Sequence, residues 1–89
     1  MPYSVELSRD AQRSLDALPA REAARMVQAL WRLAEDPRPG GVVKLRGTAA
    51  PLWRLRIGSY RAIYTVSDQA RRVIVVRIGS RSERTYKGL

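Results

Sequence analysis

The residues best equipped for chemistry are arginines. Arg54 and Arg56 lie two apart in the stretch Leu52-Trp53-Arg54-Leu55-Arg56-Ile57-Gly58-Ser59-Tyr60-Arg61-Ala62-Ile63-Tyr64, and Arg61, Arg77 and Arg81 follow. A guanidinium carries a fixed charge and a planar fork of donors that matches a phosphate in two-point contact. It does not give up its proton near neutral pH. Clustered arginines therefore suit the binding of a phosphodiester chain and the stabilisation of charge on phosphoryl oxygens, and they do not suit proton abstraction. Histidine and cysteine are both absent. That excludes a histidine base, a His-ligated metal, a thiolate nucleophile and any disulfide.

The alternation around these arginines says how they are held. Bulky apolar residues alternate with arginine or small residues on either side of Gly58-Ser59, the pattern of two half-buried strands joined by a two-residue turn. The pleat then puts Arg54 and Arg56 on one face, with Trp53, Leu55 and Ile57 on the other. On the return strand Tyr60, Ala62, Tyr64 and Val66 form one set, and Arg61, Ile63 and Thr65 the other. Burying the aromatic and aliphatic set leaves Arg54, Arg56 and Arg61 together on the open side, where they repel unless an anion sits among them. Arg72 to Gly79 reads as a last strand, with Ile74, Val76 and Ile78 expected on the helix side. Arg77, and Arg81 by continuation, are expected on the open side.

Upstream elements supply the cover. Tyr3, Val5 and Leu7 alternate as a first strand, and Ser8 stands at the N-cap of a helix carrying Ala11, Leu15 and Leu18. Pro19 separates it from a second helix over about Ala20 to Glu35. The apolar stripe of that helix reads Ala23, Val27, Leu30, Trp31 and Ala34, so Trp31 is expected in the core. Asp36 to Gly41 is a connector without the lysine and hydroxyl of a phosphate-binding loop. Val42 to Gly47 is a short strand or an extended approach to one. Ser67-Asp68-Gln69-Ala70 is a turn. The expected fold is α+β in two layers, one domain over residues 1–89, with an N-terminal strand and a helical hairpin on a mostly antiparallel four-stranded sheet.

Charge follows the same division. The chain has 89 residues and a formal net charge of +9. Residues 1–41 carry six arginines and six acids, so the surplus lies wholly in residues 42–89, where only Asp68 and Glu83 are acidic. A basic half-domain calls for a polyanionic partner, and nucleic acid ranks ahead of membrane because no basic amphipathic helix accompanies it. No membrane-spanning run and no signal-peptide layout is present, so the expectation is a cytoplasmic protein without metal or cofactor.

Three segments carry a resemblance: Lys44-Leu45-Arg46-Gly47, the run from Trp53 to Tyr64, and Val75-Val76-Arg77-Ile78-Gly79-Ser80-Arg81. Together they resemble the RelE toxins of the RelE/ParE superfamily of toxin–antitoxin modules, and the similarity spans essentially the whole chain. The resemblance implies a type II toxin that inhibits translation by cutting mRNA in the ribosomal A site, held silent by a cognate acidic antitoxin. The 2′-hydroxyl of one nucleotide would attack the adjacent phosphate. By position it assigns catalytic roles to Arg54, Arg56, Arg61, Arg81 and the C-terminal Tyr86, with Lys44, Arg46, Arg77 and Arg84 as further RNA contacts. Arg61 would grip the phosphate, Arg81 would support the leaving oxygen, and Tyr86 would stack on a base or orient the nucleophile.

One departure bears on mechanism. The family's best-studied sites place lysines on the first hairpin strand, one of them proposed as general base, whereas this chain has Arg54 and Arg56. A proton acceptor must then be Tyr86, Glu83, a ribosomal group, or none. Two other readings share the scaffold: a ParE-type inhibitor of DNA gyrase, and an RNA-binding module without catalysis. The retained arginine set and Tyr86 favour the ribonuclease.

Overall fold

The structure, a computed structural model, describes residues 2–80. The chain runs β1 (Ser4–Leu7), α1 (Arg9–Asp16), α2 (Ala20–Glu35), β2 (Val43–Lys44), β3 (Trp53–Ile57), β4 (Tyr60–Ser67) and β5 (Arg72–Ser80). The strands form one sheet in the order β1-β5-β4-β3-β2; β1 pairs with β5 in parallel and every other pairing is antiparallel. The sheet thus has five strands where four are expected from sequence. The extra one is β2, two residues too short to show a periodicity of its own.

Local chemistry explains the boundaries. Ser8 caps α1, its Oγ accepting from the Ala11 amide at 3.1 Å. Pro19 sits at the N-cap of α2, where a missing N–H costs nothing. Gly58 takes φ +59 at the first position of the β3–β4 turn, a conformation a side chain would resist.

Both helices cover one face of the sheet. The core joins Ala11, Met26, Leu30 and Leu33 to Ala62, Tyr64, Val73, Val75 and Ile78. Two expectations are corrected here. Trp31 is 69% exposed and Val27 38%. The buried residues of α2 are Met26, Leu30, Leu33 and Ala34; Leu30 and Ala34 belong to the stripe read in sequence, and Met26 and Leu33 take the places expected for Val27 and Trp31. Val27 and Trp31 flank a shallow groove with Val5, Leu7 and Leu15, beside the edge strand β1 where the sheet ends.

The second correction concerns β5. Ile63 pairs with Arg77 and Tyr64 with Val75, so Val76 is an extra, bulged residue. A bulge reverses the side-chain parity on either side of it. Val73, Val75 and Ile78 therefore all enter the core, while Ile74, opposite Thr65, faces the other side. Ser8 holds the bulge: its amide donates to the Val75 carbonyl at 2.8 Å and its Oγ to the Val76 carbonyl at 3.0 Å.

Candidate nucleic-acid interface

The helix-free face of the sheet collects the arginines in two cross-strand rows. Arg54 pairs with Ile63, which pairs with Arg77; Arg56 pairs with Arg61, which pairs with Gly79. Partners in register share a face, with strands about 4.8 Å apart and successive same-face residues about 7 Å apart along a strand. Four guanidinium-bearing positions thus fall within a patch three strands wide and two rows deep. The separation of the rows is close to that between neighbouring phosphates of an extended RNA strand.

Burial grades the four. Arg56 is exposed, while Arg54, Arg61 and Arg77 are half-buried. The Nε atom of Arg61 is fully buried, so its guanidinium is held at the sheet surface by a packed stem. Ile63, between Arg54 and Arg77 in register, is fully buried although it faces away from the helices. Apolar packing therefore continues beneath the centre of the patch. Low local dielectric around a guanidinium strengthens its pull on a phosphate.

Other sequence-derived candidates fall elsewhere. Lys44 pairs with Trp53 and lies over its ring at 5.9 Å, on the helix side of the sheet, so it is not brought to the arginine patch. Arg46 is exposed in the loop after β2. Arg81, Glu83, Arg84 and Tyr86 lie outside the described residues. Among the described residues no group of three candidate ligands could hold a metal, and no helix is long and apolar enough to cross a membrane.

A different network, not anticipated from sequence, occupies the end of the sheet by the β4–β5 turn. Asp68 accepts from Arg38 through both carboxylate oxygens, at 3.1 and 2.9 Å, and from the Tyr3 hydroxyl at 2.6 Å. The bond from Arg38, and after it that from Tyr3, holds the Asp68 carboxyl below its usual range, while donation to Asp68 pushes the Tyr3 hydroxyl up. Arg38 also lies over Trp53, 5.3 Å from the ring centre. The buried Tyr64 hydroxyl donates to the Pro37 carbonyl at 2.8 Å, and burial pushes its pKa up to about 12. The connector after α2 is thereby tied to the sheet. The signal for it in sequence was thin: Asp68, one of only two acids among the basic residues of the C-terminal half.

Comparison with known proteins places this geometry. The family model described as the ParE toxin of the type II toxin–antitoxin system parDE matches residues 5–85. Toxin RelG of Mycobacterium tuberculosis is 33% identical over 84 residues, covering 93% of this chain and 95% of that protein. Among solved structures, the RelE–RelB complex of Pyrococcus horikoshii contains a chain that superposes with a TM-score of 0.81 at 29% identity, covering 93% of this chain and 99% of the other. The toxin–antitoxin complex RelBE2 of Mycobacterium tuberculosis contains one that matches at 30% identity and a TM-score of 0.80, covering 90% and 99%.

Proposed function

The chain belongs to the RelE/ParE toxins of type II toxin–antitoxin systems, and from that premise we propose that it acts as a ribosome-dependent endoribonuclease on mRNA in the cytoplasm. The observation that supports this most is the pairing register, with Arg54 and Arg77 flanking Ile63 and Arg56 opposite Arg61.

In the proposed reaction a ribose 2′-hydroxyl loses its proton and its oxygen bonds to the adjacent phosphorus. The P–O5′ bond breaks, leaving a 2′,3′-cyclic phosphate on one fragment, and the departing 5′-oxygen takes up a proton. Charge on the non-bridging oxygens rises in the transition state, so guanidiniums fixed beforehand stabilise it more than the ground state. Arg61, held by its buried stem, is suited to two-point contact with the phosphate, and Arg54, Arg56 and Arg77 to the flanking phosphates and the developing charge. None of the four can act as base. The proton-handling group is assigned to the segment beyond Ser80, with Tyr86 as the first candidate, or to the ribosome. Arg81 and Arg84 are proposed to extend the basic surface, with Arg46 as an outlying contact.

The same premise supplies a partner: an acidic antitoxin that neutralises the C-terminal half, as the RelE relatives from P. horikoshii and M. tuberculosis are found with theirs. Primer extension on a translated mRNA tests the reading, run beside a plasmid relaxation assay with gyrase. Cleavage that needs ribosomes and disappears in Arg61→Ala is the expected result. Trapped gyrase–DNA complexes with intact mRNA would replace it with the ParE-type reading.

A further inference from the structure

A basic recess lies between α2, the connector after it and β3, round the corner of the β3–β4 turn from the arginine patch. It is a cavity of about 450 Å³, within the range of ligand pockets, about 300–1,000 Å³. Arg25, Gln28 and Arg32 line its α2 wall, at helix positions i, i+3 and i+7 and so on one face. Leu55 and Ile57, which pack against the core, make its floor. Among the described residues no Asp or Glu belongs to the lining; Glu22, 3.7 Å from Arg25, lies one turn back along the helix.

Arg56 joins this recess to the patch. It pairs with Arg61 across the sheet, and it also belongs to the lining. Gly58 keeps the corner between them low. A Cβ there would stand 3.3 Å from Nη1 of Arg25, so the guanidinium of Arg25 reaches over the turn into the space a side chain would take. Positive charge therefore runs from Arg61 through Arg56 to Arg25. Residues 81–89 bring Arg81, Arg84 and Lys87 against Glu83, a poor charge match for this wall.

We infer that the recess receives the base of one unpaired mRNA nucleotide, flanking the phosphate held by Arg61, where the strand turns over Arg56. The inference rests on the ribonuclease reading and adds a nucleotide subsite to it. Charge alone would attract any polyanion, but this wall places an amide between two guanidiniums and sets them over an apolar floor. Proteins read single-stranded RNA by splaying a base out, packing its face and bonding its edge. Leu55 and Ile57 suit the face, and a guanidinium plane can cover the other side. Gln28 offers the edge both a donor and an acceptor. Arg56 stands between base and patch, placed for the intervening phosphate. Continuity with the patch favours the strand already proposed there over an acidic peptide. Cleavage thereby becomes sensitive to the base at one flanking position.

The test titrates the full chain onto ribosomes programmed with a message whose scissile nucleotide is 2′-deoxy, which binds without reacting. Each flanking nucleotide is made abasic in turn, removing the base and keeping the phosphate. We expect one flanking position at which losing the base weakens binding by about tenfold, the scale of one base contact. That loss should shrink to within about twofold in Gln28→Ala and in Ala29→Leu, which fills the recess without changing its charge. Arg61→Ala should weaken binding alike with and without the base, since it contacts only phosphate. Abasic losses that are the same in the parent chain and both recess variants would overturn the inference. So would recess variants that lower affinity only for an acidic protein partner. Those results leave the ribonuclease reading standing, whereas no binding of the parent message would bring down both. Photocrosslinking from 4-thiouridine at the sensitive position needs no substitution, so a misfolded variant does not blunt the test. Attachment within residues 26–32 or 55–58 supports the subsite, and attachment confined to residues 81–89 overturns it.

Discussion

The two ends of the sheet use arginine in opposite ways. By the β4–β5 turn two cations meet acids: Arg72 and Glu6 at 2.9 Å, Arg38 and Asp68 at 2.9 Å with Tyr3 as a second donor. By the β3–β4 turn stand Arg54, Arg56, Arg61 and Arg77, and residues 42–80 offer them no acid but Asp68, which is committed elsewhere. Exposed ion pairs contribute only about 0–1 kcal/mol, so the first group chiefly fixes where loops lie. The second group gathers like charges on one face, and an arriving anion would relieve their repulsion. Identical side chains thus serve architecture at one end and, in the proposed function, recognition at the other, with the placement of two carboxylates making the difference.

The largest effect that would sharpen this contrast is on activity. Arg61→Ala is expected to lower ribosome-dependent cleavage by about 100-fold or more, the scale of losing one transition-state donor, whereas Arg72→Ala leaves it within about twofold. Single-turnover cleavage of a translated mRNA measures both, and equal losses would break the comparison. Ser8→Ala comes next. It removes the α1 cap and the anchor of the Val76 bulge together, for about 2 kcal/mol by urea unfolding, and cleavage should fall too because the bulge turns Arg77 toward the patch. Tyr64→Phe strands the Pro37 carbonyl and is expected to cost about 1–2 kcal/mol with cleavage nearly unchanged, since it loosens only the end held by Arg38.

The smallest expected effect is on acidification. The folded-state pKa of Asp68 is depressed, so its stabilising bonds persist above the ordinary carboxylate value of 3.8 and are lost as pH falls through the depressed value. Trp53 fluorescence should change in that window as Arg38 loses its anchor, and RNA binding by the arginine patch should show no matching step. At the alkaline end, burial of Tyr64 favours its neutral form, so stability is expected to decline as pH rises from 10 toward about 12.

The hairpin and the Ser8 cap were legible in the sequence because each rests on local rules: a period of two broken by Gly58-Ser59, and a hydroxyl placed before a helical stripe. The position of Arg77 was read correctly through a wrong partition. Val73 and Val75 enter the core although Arg77 leaves it, and only the bulge at Val76 permits both. Trp31 was misread for a related reason. The apolar arc of α2 is wide enough to offer two stripes, and periodicity does not say which one the sheet will cover. Lys44, grouped by motif with the basic residues, lies across the sheet over Trp53.

By itself, then, the sequence determined the order of elements, the turn that closes the hairpin, the imbalance of charge and the absence of any histidine or thiol chemistry. These are properties of composition and of neighbours along the chain. Tertiary structure alone decided which α2 stripe is buried, where Asp68 is spent, and that a bulge at Val76 lets Val75 enter the core while Arg77 leaves it. Each depends on residues far apart in sequence arriving at one place, and on a sheet of finite width whose bulge and edges no local pattern encodes.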